Sequence, residues 1–162
     1  MAESSRTEVI TLSVIDDDAN IRNGLSWLLN NTVGLSCLET YTSYAEAQKG
    51  LAQKTPDILL LDIGLPGISG IEAIQPIRKR FPEMKIIMHS NYDEDEKIAR
   101  SVRAGASGYV LKNASATWLH HAILKVVQGD SVWPPGYSER TLRANPQSLL
   151  QKATRCFKLF IK

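Results

Sequence analysis

The sequence predicts an open, doubly wound α/β fold, with five parallel strands in one sheet and helices on both of its faces. Two observations carry this expectation. Short apolar runs alternate five times with longer stretches of helical period. Strands separated by helices must also run parallel, because each crossover brings the chain back to the edge from which the previous strand started.

Taken in order, the apolar runs are 9–15, 35–41, 58–61, 85–88 and 108–111, short and rich in aliphatic or β-branched residues. After the first, Ile21, Leu25, Leu28 and Leu29 recur at helical spacing. Ser43 and Glu46 have the spacing of a capping box and predict a helix from Tyr44 to Gln53. Gly70 opens a third helical stretch with Ile71, Ile74 and Phe81 on one face, and Pro76 within it predicts a kink or irregular turn. Asp93 is the expected cap of the fourth helix, which turns Ile98, Ala99 and Val102 inward. In the fifth, Leu119, Ala122, Ile123, Val126 and Val127 form the apolar stripe, and Gly129 is the stop signal.

Composition narrows the class of protein. With 162 residues, 43% apolar, 22% charged, 10 Gly and 7 Pro, the chain is neither disordered, collagen-like nor a disulfide scaffold. A domain of this size buries roughly two-thirds of its unfolded surface, so it needs no metal or disulfide staple. Cys37 and Cys156 share no ligand or redox spacing, which makes free thiols and a cytoplasmic location the expectation. No apolar run is long enough to span a bilayer, and the opening residues lack a signal-peptide core. The net charge of +2 hides an asymmetry: residues 1–130 sum to −3 and residues 131–162 to +5.

In doubly wound sheets ligands bind beyond the carboxyl ends of the strands, so the residue after each run is informative. The first run leads into Asp16, Asp17 and Asp18, the third into Asp62, the fourth into His89 and Ser90, and the fifth into Lys112. Crowded carboxylates repel one another and favour protonation of one of them. A hard divalent cation relieves that cost, and Mg²⁺, which takes one or two carboxylates together with a phosphate, fits best. A carboxylate beside it can attack a phosphoryl donor and hold the group as an acyl phosphate. Lys112 and Ser90 are then placed to meet the remaining phosphoryl oxygens. His89 is read as part of a strand end and the His120/His121 pair as an exposed helix face, since no second ligand has suitable spacing.

Four segments in this order, VIDDDANIRNG, LLLDIGLPGISGIE, the Ser90 after KIIMH, and GASGYVLKN, resemble the receiver domain of two-component response regulators over about residues 9–128. The wording around Asp62 and Lys112, and the SVWPPGYSERTL that follows, is most similar to the NarL/LuxR-type subgroup. The resemblance implies a flavodoxin-like (βα)5 fold, with Asp62 as phosphoacceptor and Asp16, Asp17, Asp62 and the Gly64 carbonyl around Mg²⁺. It also implies Ser90 as switch hydroxyl, Tyr109 as switch aromatic and Lys112 as phosphate partner. Ser90 moving toward the phosphate would open space for Tyr109 and repack the surface of the fourth helix, fifth strand and fifth helix. The implied partners are a sensor histidine kinase and, on phosphorylation, a second copy of the chain. The protein is then a signalling phosphoacceptor in transcriptional regulation rather than an enzyme.

Three positions depart from or add to the family pattern. Asn113 stands where many receivers have proline, Asp18 is an extra acid read as a solvated loop residue, and Tyr92 is a bulky side chain two places after Ser90 that could shield the acyl phosphate. Two other classes share features of the site: an aspartyl-nucleophile phosphohydrolase, which usually has a second acid where Gly64 stands, and a phosphate-independent interaction module.

The expected organisation is an N-terminal extension over 1–8, a receiver over 9–130, and a linker with a basic amphipathic helix over 131–162. Leu149, Leu150, Ala153, Cys156, Phe157, Phe160 and Ile161 keep helical spacing, with Lys152, Arg155 and Lys158 mostly elsewhere. Four readings of this stretch stay open: packing on the receiver or a second copy, part of a longer DNA-binding regulator, weak contact with nucleic acid, and an interfacial membrane helix. DNA is an expected partner only where a longer form carries a DNA-binding domain, since no helix-turn-helix is readable here.

Overall fold

The computed structural model of the chain describes residues 8–137. Ten elements alternate in order: β1 (Ile10–Ile15), α1 (Ala19–Asn30), β2 (Leu35–Tyr41), α2 (Tyr44–Gln53), β3 (Ile58–Leu61), α3 (Gly70–Arg80), β4 (Lys85–Ser90), α4 (Asp95–Ala104), β5 (Gly108–Leu111) and α5 (Ala116–Val127). The strands form one parallel sheet in the order β2-β1-β3-β4-β5. That order reverses direction beside β1, and such a switch point opens a crevice between β1 and β3.

Alternation along each strand sorts the core into two layers. Ile15, Leu61, Met88 and Tyr109 face α2, α3 and α4, where they meet Leu51, Ile74, Ile77 and Ile98. Leu12, Val14, Leu60, Ile87 and Val110 face α1 and α5, against Leu25, Leu29, Leu119 and Ile123. β3 is buried on both faces, as a central parallel strand should be. In register Ile15 pairs with Leu61, Leu61 with Met88 and Met88 with Tyr109, so the strands end nearly level.

Local chemistry explains most boundaries. Ser43 accepts a hydrogen bond from the Glu46 amide, and the Glu46 carboxylate accepts one from the Thr42 amide, a close variant of the expected capping box. α3 runs on through Pro76, which lies exposed inside the helix rather than ending it. The cap of α4 is Glu94, not Asp93, and makes no side-chain cap bond; the helix closes at Gly105 with φ 110°. Val127 is 44% exposed and so falls off the α5 stripe. β4 runs two residues past the expected end and takes in His89 and Ser90.

Past α5 the chain stays on the domain. Val132 forms a parallel bridge with Gly108, its carbonyl accepting from the Tyr109 amide at 2.9 Å. Val132, Pro134 and Tyr137 are buried, and Tyr137 joins the layer that contains Tyr109. Residues 131–137 therefore cover the free edge of β5. The amphipathic stretch from Leu149 and Cys156 lie outside the described residues. Among the described residues no helix is long and apolar enough to cross a membrane.

Candidate functional site

Ladder bonds carried one residue beyond the strands seat the side chains of the site. The Asp16 amide donates to the Tyr41 carbonyl, the Asp62 amide to Ile15, and the Lys112 amide to Ser90. Asp16, Asp17 and Asp62 thereby offer carboxylate oxygens within 4.8 Å of one another. Lys112 Nζ lies 2.8 Å from Asp16 Oδ2 and 3.1 Å from Asp62 Oδ2, bridging two strands that are adjacent in the sheet.

These groups are desolvated to different degrees. Asp16 and Asp62 are buried, whereas Asp17 is exposed. Burial, and then the neighbouring Asp16 charge, raise the Asp62 carboxyl above its ordinary value in spite of Lys112. Burial works against the Lys112 charge, but its hydrogen bonds to Asp16 and Asp62 outweigh it and hold the ammonium above its usual pKa. Hard oxygens of mixed exposure, with one acid facing solvent, suit a small divalent cation that keeps part of its water.

The surroundings fix the acids in place. Asp18 is exposed in the loop, as expected, and it also caps α1, accepting from the Asn20 and Ile21 amides, while its own amide donates to Asp16 Oδ1. Arg22 Nη1 donates to the Asp16 carbonyl at 2.7 Å, a contact to main chain that no residue type signals. Gly70 is required for a steric reason: a Cβ there would stand 1.9 Å from the Asp62 carbonyl oxygen, so only glycine lets α3 start this close to β3. A hydrogen bond from the Gly64 amide to the Asp62 carboxylate offsets a small part of the rise that burial causes.

A polar cleft of about 290 Å³ opens over these groups, walled by Asp17, Asp62, Gly64, Asn91, Tyr92 and Lys112 with Asp18 at its margin. Ser90 sits behind the wall, fully buried, and its Oγ accepts from the Tyr92 amide at 3.1 Å. Tyr109 is already inside, 0% exposed, with its hydroxyl donated to the Tyr92 carbonyl. The buried ring is stable there because its hydroxyl finds an acceptor. Burial first of all pushes its phenol up to about 12.

His89 lies in β4 as expected and is buried; burial, and next the Lys112 charge, push its imidazole down to about 4. His120 and His121 lie on α5, where His121 is exposed and its ring stacks on Trp118.

Comparison with known proteins agrees with this geometry. The family model described as the response regulator receiver domain matches residues 12–124. The chain is 36% identical over 123 residues to the oxygen regulatory protein NreC of Staphylococcus carnosus, an alignment that covers 75% of this chain and 57% of that protein. It thus spans about half the length of the curated relatives it matches. A LuxR-family two-component response regulator from Aurantimonas sp. SI85-9A1 superposes with a TM-score of 0.78 at 27% identity, covering 85% of this chain and 99% of that one. The receiver domain of a putative NarL from Mycobacterium tuberculosis, 24% identical, has the same fold at a TM-score of 0.71, covering 75% and 98% of the two chains.

Proposed function

The chain belongs to the response regulator receiver family, and from that premise we propose that Asp62 accepts a phosphoryl group from the phosphohistidine of a sensor histidine kinase. The observation that carries this reading is Lys112, whose ammonium lies within 3.1 Å of carboxylates from two separate strands at the floor of an open polar cleft. Asp62 is the nucleophile: one carboxylate oxygen bonds to phosphorus as the P–N bond breaks, and the electron pair of that bond stays on the imidazole. Lys112 keeps its proton throughout and pairs with a phosphoryl oxygen. Ser90, once its hydroxyl leaves the Tyr92 amide, donates to another.

Asp16, Asp17, Asp62 and the Gly64 carbonyl would hold Mg²⁺, and the mixed exposure of the acids supports that assignment. When bound, the ion neutralises charge on the phosphoryl group and the carboxylates. Gly64 stands where phosphohydrolases of this kind carry a second acid, so slow loss of the group, rather than turnover, is the expected chemistry.

The phosphoacceptor unit is residues 9–130, preceded by an extension over 1–8 and followed by the tail over 131–162, of which Val132 bridges to Gly108 of β5. Phosphorylation shifts the packing of α4, β5 and α5, through Ser90 and Tyr109, toward a homodimer that serves transcriptional regulation in the cytoplasm. A DNA-binding domain, where a longer form carries one, would supply contact with DNA.

Incubation with Mg²⁺ and acetyl phosphate, followed by intact-mass measurement, tests the reading. One phosphate per chain, absent in Asp62→Asn and with EDTA, is expected. No adduct would contradict it, and multiple-turnover phosphate release would favour a hydrolase.

A further inference from the structure

Tyr92 is held at three points. Its amide donates to Ser90 Oγ, its carbonyl accepts from the Tyr109 hydroxyl, and its ring carries the Lys97 ammonium 3.4 Å from the centroid. The first two contacts belong to the backbone and place the residue at the cleft; only the third acts on the side chain. Tyr92 is 41% exposed and lines the cleft beside Asp62 and Lys112, so without Lys97 the ring is free to turn into solvent.

Among the described residues Lys97 has an ion-pair partner at the N-cap of α4. Glu94 Oε1 lies 3.9 Å from Nζ, an exposed pair of little strength. The ammonium sits closer to the ring face, at 3.4 Å from its centroid, where the quadrupole attracts it.

We propose that Lys97 is a positioning residue for the phosphoryl site: by clamping the Tyr92 ring at the cleft, it limits access of water to the acyl phosphate and so lengthens its lifetime. Hydrolysis is the step it restrains, in which water oxygen bonds to phosphorus, the bond from phosphorus to the Asp62 oxygen breaks, and the carboxylate leaves with that electron pair. Lys97 touches neither reactant. Its effect passes through the ring alone, and the inference rests on the phosphoacceptor reading of Asp62.

The test follows first-order loss of the adduct by intact mass after excess acetyl phosphate is removed. Lys97→Met, similar in length but uncharged, should lose phosphate about two- to fivefold faster, the range set by a cation–π contact at an exposed site. Lys97→Arg and Tyr92→Phe keep cation and ring and should behave as wild type. In a Tyr92→Ala background, itself accelerated, Lys97→Met should add nothing. NMR of the unphosphorylated chain provides a readout independent of the chemistry: the Lys97 ε-methylene protons should be shifted upfield by the ring, and lose the shift in Tyr92→Ala. The proposal is overturned if Lys97→Met keeps the wild-type lifetime, if its acceleration persists without the ring, or if the upfield shift is missing. Failure of the wild type to form any adduct would defeat the reading of Asp62, and this role with it.

Discussion

Two halves of one strand edge are built on opposite principles. Where β1 and β3 end, Asp16, Asp17 and Asp62 crowd together and Lys112 reaches across from β5 to offset them. Where β4 ends, the contacts are neutral: the hydroxyl of Ser90 on the Tyr92 amide, and the Tyr109 hydroxyl on the Tyr92 carbonyl. Breaking a buried ion pair leaves an uncompensated charge, whereas exchanging one neutral hydrogen bond for another costs about 1 kcal/mol or less. On the proposed phosphoacceptor reading, the charged half would hold the ligand in place and the neutral half would change partners when it arrives.

The contrast can be broken most severely at Tyr109. Tyr109→Ala empties the largest fully buried side chain and should cost about 4 kcal/mol in urea unfolding. Lys112→Met acts on the other half: it leaves Asp16 and Asp62 unpaired and should cost about 3 kcal/mol at pH 7.5 without Mg²⁺. Added Mg²⁺ should restore most of that loss in a thermal melt. Acidification should restore part of it too, because a raised Asp62 pKa means that the folded state takes up its proton before the unfolded chain does.

His89 sharpens the comparison through pH. Its folded pKa of about 4 lies below the unfolded value of 6.5, so its contribution to stability is fully present above 6.5 and is lost as pH falls through about 4. Between pH 7.5 and 5 its share should be a loss of about 2 kcal/mol, and His89→Gln should remove that share from the acid limb of the stability curve. The smallest effect is expected from Tyr109→Phe, which keeps the packing but leaves the Tyr92 carbonyl without its donor, at about 1 kcal/mol.

Much of this was legible in the sequence, for identifiable reasons. Strands such as Ile58–Leu61 are continuous apolar runs because both of their faces are covered, and Asp16, Asp62 and Lys112 stand out because charge directly after such a run has few structural uses. Less visible was whatever depended on contacts across the chain. Asp18 looked like a spare acid because its capping role shows only once the α1 amides are placed. Arg22 carried no signal, since its partner is a backbone carbonyl, which has no letter in the sequence. Residues 131–137 changed composition at a proline-rich turn and so read as the start of a tail, yet Val132 pairs with β5 through a main-chain bond that composition does not encode.

The central claim is that the charged half reacts at Asp62. Treating the acetyl phosphate product with borohydride reduces an acyl phosphate at an aspartate to homoserine, and peptide mass mapping then locates it. Homoserine is expected at position 62 and at neither Asp16 nor Asp17. Reduction at one of those two acids, or at none of the three, would contradict the claim.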